Sequence, residues 1–159
     1  MNFCVHRKIV RFALSVLGAS MLFFSAGVLP AQAQHPNNWT LFGGALFSPS
    51  GFEMGGGLGM GITNNVFFEP TIAFGRAGSE GVFSLDGSFE YVFHLSDTRV
   101  RPYALGGVGL AQFGGKTHGS PIVGFGAFFP LSGGFSIRPE VRIAGDGLSR
   151  FTIGISKSF

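Results

Sequence analysis

A histidine, a serine and a glutamate are the residues here with the parts for covalent chemistry. His118 and Ser120 lie two apart in "KTHGS" (116–120), and Glu140 follows further along the chain. A base, a hydroxyl and an orienting carboxylate are what acyl transfer needs. Their setting favours a plainer reading. His118 and Ser120 flank Gly119 and precede Pro121, in a polar connection between two apolar runs, and are expected to form an ordinary loop. The glycine run "GGGLGMG" (55–61) suggests a phosphate cradle, but it lacks the G-x-G-x-x-G spacing and no lysine follows it. It is expected to pack beside phenylalanines. The histidines, His6, His35, His94 and His118, show no metal-ligand spacing, so neither a metal nor a cofactor is predicted. A further set is better founded. Glu69, Asp86, Glu90, Arg101, Arg138, Glu140 and Arg142 stand inside runs that are otherwise apolar or small. Charges so placed must be paired or wet, which makes them either an ion-pair plug or an ion path.

The elements that position these residues follow from a period of two. Eight alternating runs span 38–47, 53–62, 66–75, 82–95, 100–113, 121–129, 135–144 and 150–159, each bounded by Gly, Pro, Asn, Ser or Asp. No stretch of ten residues after the first 33 has a clean helical period, and no connection leaves room for a helix. The short links make neighbouring strands antiparallel, because a parallel crossover needs about a dozen residues. An even number of strands about ten residues long is what a closed barrel across a membrane requires.

Two runs decide which side faces what. In 82–95, Phe83, Leu85, Phe89, Tyr91, Phe93 and Leu95 oppose Ser84, Asp86, Ser88, Glu90 and His94, with Val92 the exception. In 135–143, Phe135, Ile137, Pro139, Val141 and Ile143 oppose Ser136, Arg138, Glu140 and Arg142. A soluble, lipocalin-like barrel would turn the phenylalanines inward, but an eight-stranded interior is only as wide as the side chains that fill it. The phenylalanines are therefore expected to face lipid, with glycine, serine and charge in the lumen. Strand directions place Asp86 with Arg142 high in that lumen and Glu90 with Arg138 nearer its middle, and Glu69, Glu140 and Arg101 are candidates to join them.

The first 33 residues are read as a separate segment. A basic stretch with Arg7, Lys8 and Arg11 precedes an uncharged stretch from Phe12 to Leu29, and Ala31-Gln32-Ala33 has the small-x-small form of a signal-peptidase site. Residues 1–33 are thus expected to be a cleaved signal peptide and 34–159 the barrel. An uncleaved anchor is the alternative, which Pro30 argues against. Of the 11 Lys and Arg, three leave with the signal, and the 8 that stay balance the 8 Asp and Glu. Nucleic-acid binding loses its support. Cys4, the only cysteine, leaves too, so no disulfide or thiol chemistry is expected afterwards.

With these runs in view, the chain from 34 to 159 resembles the small eight-stranded outer-membrane barrels of Gram-negative bacteria, the OmpA-like and opacity-protein-like group. "RPYALGGVGLA" (101–111) is similar to that group's fifth strand. The resemblance implies an outer-membrane location reached through the periplasm, with membrane lipid and the barrel-assembly machinery as partners. It also implies that Phe151, Ile153, Ile155 and Phe159 form the assembly signal. Lys157 departs from that ending and reads as a side chain snorkelling to the headgroups. Lipid A deacylases of this architecture carry a His-x-Ser pair and a Glu, but there the pair lies in a strand and is followed by Asn. The expected role is non-enzymatic, structural or surface-interacting, with a deacylase-type hydrolase or a small ion-conducting pore as alternatives. The connections 48–52, 76–81, 114–119 and 145–149 are short for adhesion, which weighs towards envelope integrity. No surface ligand is identified.

Overall fold

Alternating small and apolar residues resolve into eight strands, seen in a computed structural model that describes residues 37–47, 50–96, 98–145 and 147–159. They are β1 (Asn38–Phe47), β2 (Ser50–Gly61), β3 (Val66–Ala77), β4 (Glu80–Val92), β5 (Arg101–Phe113), β6 (Lys116–Pro130), β7 (Phe135–Ala144) and β8 (Arg150–Ser158), with a short 3-10 turn at Ser132–Gly134. Each strand pairs antiparallel with the next, and β1 pairs with β8, so the sheet closes into a barrel. The closing seam runs from Leu46↔Arg150 to Asn38↔Ser158, and the Phe159 amide donates to the Asn37 carbonyl at 2.9 Å. Closure leaves no edge and satisfies the ladder in a solvent without water. The signal segment and its cleavage residues Ala31 and Ala33 lie outside the described residues.

One end of the barrel carries the β1–β2, β3–β4, β5–β6 and β7–β8 connections; the other carries Asn37 and Phe159. At the hairpin end the strands run further than polarity suggests. Phe113 pairs with Lys116 across Gly114 and Gly115, whose φ values of 57° and 72° make a two-residue turn that side-chain-bearing residues resist. His118 and Ser120 therefore lie within β6, not in the loop expected at 114–119. In the same way β2 starts at Ser50 rather than Glu53, while β4 ends at Val92 rather than Leu95. Polar residues that prolong a strand beyond the apolar band look like loop in a sequence.

Burial is inverted relative to a water-soluble barrel. Val108, Phe125, Leu41 and Ile153 are 69, 62, 62 and 54% exposed, whereas Glu69, Glu90, Arg142 and Arg138 are 1, 1, 2 and 3% exposed. This excludes the lipocalin-like arrangement. At the terminal end the outer face carries Trp39 edge-on to Phe135, and Tyr91 against Phe93. The Lys157 ammonium sits 5.1 Å from the Phe135 ring centre. Amphipathic aromatics and a long cation at a rim suit a membrane interface.

The phenylalanines are not all outside. Phe42, Phe67, Phe113 and Phe128 share the inward phase of their strands, which corrects the expectation that they all face lipid. They fill space that the charged residues do not reach. Leu46, Ala77, Val82, Ala111 and Leu148, with Phe113, close the hairpin end. Val92, Tyr103, Leu105, Ile122 and Phe128, with Phe67, line β4–β6 and the opposite mouth. The run "GGGLGMG" belongs to this packing. A Cβ on Gly55 would lie 2.7 Å from the Phe42 ring, and one on Gly57 would lie 2.8 Å from a Glu69 oxygen. Both glycines face inward on β2, which thus yields its lumenal space to its neighbours.

Candidate functional site: the lumenal ion network

Inward positions on seven strands build one continuous polar layer. Arg138, on β7, is its hub. It contacts Glu69 at 2.7 Å, Glu140 at 2.7 Å, and Glu90. Its Nε donates to the Tyr103 hydroxyl at 2.7 Å, and that hydroxyl donates to Glu140 at 2.7 Å. The guanidinium also lies 4.8 Å from the Tyr103 ring centre and reaches Thr40 Oγ1 at 3.3 Å. Two repeats of the pleat along β7, Arg142 contacts Glu140, reaches Asp86 at 3.3 Å, and donates to Thr71 at 3.3 Å. Arg150, at the start of β8, contacts Asp86 and reaches Glu53 and Ser84, each at 3.3 Å.

The strand alternation explains the convergence. Residues i and i+2 share a face, so Arg138, Glu140 and Arg142 project inward from β7, and Asp86 and Glu90 project inward from β4 across the barrel. Glu90 and Arg138 meet, and so do Asp86 and Arg142, but not as two separate pairs. Arg138 is shared among three carboxylates and Asp86 between two guanidiniums. The layer holds five carboxyl groups, of Glu53, Glu69, Asp86, Glu90 and Glu140, against three guanidiniums, so pairwise matching is impossible. Acid oxygens of Glu69, Glu90 and Glu140 lie within 4.8 Å of one another, a spacing that suits a cation, and Arg138 supplies that cation.

Arg101 stands apart, contrary to its expected place in this group. Its guanidinium lies 5.5 Å from the Phe128 ring centre, and Arg138 lies 5.1 Å from the same centre. Sequence reasoning also missed Glu53, Tyr103 and Arg150. Glu53 and Arg150 each stand in the inward phase of a run and were detectable there. Tyr103 was hidden because an inward aromatic contradicts a simple lipid-out pattern.

The parts for acyl transfer do not assemble. His118 stacks on Phe113, with ring centres 4.8 Å apart. Ser120 is buried and faces the lumen, where it lines a small cavity with Ser84, Asp86, Arg142 and Arg150. Both Glu140 oxygens are taken, one by Arg142 and the other by Arg138 and Tyr103. No hydrogen bond joins His118, Ser120 and Glu140 among the described residues.

A closed eight-stranded barrel with an apolar exterior and a charged, filled interior is the architecture of the small transmembrane β-barrels. Solved structures agree on this fold. The N-terminal β-barrel domain of Pseudomonas aeruginosa OprF superposes with a TM-score of 0.68 at 16% identity, over 80% of this chain and 100% of that domain. Neisserial surface protein A gives 0.56 at 15%, over 78% and 95%. The outer membrane enzyme PagL gives 0.52 at 16%, over 77% and 99%. No protein-family model matches the sequence, and no curated protein matches it.

Proposed function

We propose that this chain is a non-enzymatic, structural barrel of a Gram-negative outer membrane, exported by its first 33 residues and inserted by the barrel-assembly machinery. The observation that carries this reading is the inversion of burial: charges 1–6% exposed within, phenylalanine and aliphatic side chains largely bare without. That surface is soluble only in lipid. The connections support a structural role over an adhesive one. Residues 48–49, 78–79, 114–115 and 145–149 are all that joins the strands at the hairpin end, which leaves little surface for a protein partner.

A hydrolase is disfavoured by the separation of Ser120 from a free base and by the engagement of Glu140. A pore is disfavoured by the filled lumen. A cavity beside Thr40, Glu69 and Arg138 has about 10 Å³ open to the centre of a water, and the one beside Ser120 has about 20 Å³. Each admits roughly a single water molecule. Expression of the full chain in a Gram-negative host tests the proposal. The protein should fractionate with the outer membrane, migrate differently on gels before and after boiling, and begin at Gln34. Recovery from the soluble periplasm, or an intact Met1–Ala33 segment, would contradict it.

A further inference from the structure

Arg101 lies at the terminal mouth, and among the described residues it carries the one buried side-chain donor without a hydrogen-bond partner. Its Nε is buried without a hydrogen-bond partner, and none of its nitrogens meets a carboxylate among the described residues. The Arg101 and Arg138 guanidiniums lie 5.5 and 5.1 Å from the same Phe128 ring centre. No ion pair of the network includes Arg101 among the described residues. A cavity of about 20 Å³ opens beside it, lined by Asn38, Ser136, Ser156 and Ser158. Ser136 and Ser156 are buried and Ser158 is exposed, so the cavity leads from the lumen to the outside. No carboxylate is among the described residues that line it. A guanidinium, three hydroxyls and an amide therefore converge on one small space.

We infer that this mouth is a binding site for a single small oxyanion group, a phosphate or a carboxylate, held by the Arg101 guanidinium and the hydroxyls of Ser136 and Ser156. An unpaired buried N–H is costly. A planar fork of N–H donors matches the paired oxygens of such an anion better than it matches water. The cavity is no larger than the one beside Ser120, so it takes at most one oxygen of the anion, and the rest of the ligand stays outside at the mouth. This site is independent of the proposed structural role, since it uses none of the ion pairs that fill the lumen.

Inorganic phosphate is the probe, titrated into the folded full-length barrel in zwitterionic micelles, with acetate and chloride in parallel. The Nε–Hε resonance of Arg101 should shift saturably with phosphate, together with the amides of Ser136 and Ser156, while those of Arg138, Arg142 and Arg150 stay in place. Arg101→Lys, which keeps the charge and loses the fork, should weaken the affinity at least about tenfold. Ser136→Ala should weaken it as well, and it serves if the lysine variant fails to fold. Saturation by acetate too would support the whole oxyanion class, and saturation by phosphate alone would narrow it to phosphate. A linear drift identical in all three salts, or an affinity unchanged in both variants, would overturn the inference.

Discussion

At Arg138 one guanidinium answers three carboxylates and a phenol, all nearly inaccessible to water. Removing it strands Glu69, Glu90 and Glu140 together, and breaking a buried pair typically costs about 3–5 kcal/mol. Arg138→Ala should cost at least that. Glu90→Gln should cost clearly less, because an amide can still accept from the guanidinium while two carboxylates remain to balance it. Adding Glu90→Ala to Arg138→Ala should not restore stability, since Glu69 keeps only a 3.9 Å contact to Arg142, which Glu140 already engages. Urea unfolding of the barrel in phospholipid vesicles measures all three variants, and equal losses for Arg138→Ala and Glu90→Gln would mean the hub is misidentified. Steric fit is as local. A Cβ on Gly126 would lie 2.3 Å from the Tyr103 hydroxyl and 2.6 Å from the Pro139 carbonyl, whereas one on Gly106 meets nothing within 4 Å. Gly126→Ala should destabilise by about 1–3 kcal/mol, the usual cost of overpacking. Gly106→Ala should be close to neutral in the same assay.

Among the elements, the strands and their antiparallel order were legible, and the full set of partners around each charge was not. Alternation over ten residues fixes a strand and its two faces, and β1 and β7 have the bounds the pattern predicts. What a period cannot convey is height around a curved wall, so Glu90 and Arg138 look like a private pair when groups from five strands in fact meet there. Nor can it convey what a charge rests against, which is why the Phe128 ring beside both Arg101 and Arg138 was invisible. The prolines add a feature of their own. Between β2 and β3 the ladder runs to Gly57↔Thr71 and resumes at Met60↔Phe68, skipping Pro70. Between β6 and β7 it runs to Gly126↔Glu140 and resumes at Phe129↔Ile137, skipping Pro139. Proline cannot donate to a ladder and is rare inside a sheet. These two seams lie four strands apart in a ring of eight, on opposite sides of the barrel. The amides of Leu58 and Ala127, which stand opposite Pro70 and Pro139, should therefore exchange with deuterium faster than amides at the same depth along the β1–β8 seam. Uniform protection around the ring would show that the prolines leave the ladder intact.

For the molecule as a whole, the exterior and the lumen make separate demands that can be tested separately. The exterior must meet hydrocarbon. Val108 lies mid-strand on β5 and is 69% exposed. Val108→Arg should cost about 2–4 kcal/mol, the penalty for a cation near the bilayer midplane, while Phe93→Arg near the rim should cost about 0–1 kcal/mol. Equal penalties in vesicle unfolding would remove the assigned depth. The lumen must be closed. Its charged layer is bounded by one apolar cluster at the hairpin end and another reaching the terminal mouth, and the two cavities beside it among the described residues are each about the size of one water. Ion flow would require Arg138, Arg142 and Arg150 to release their carboxylates together, a concerted loss of contacts in a confined, low-dielectric space. The most direct measurement is a planar-bilayer recording of the purified, folded protein under an applied voltage. A flat baseline, with insertion verified independently, is the result predicted for a structural barrel plugged by its ion network. Reproducible single-channel steps from the wild-type protein would contradict it.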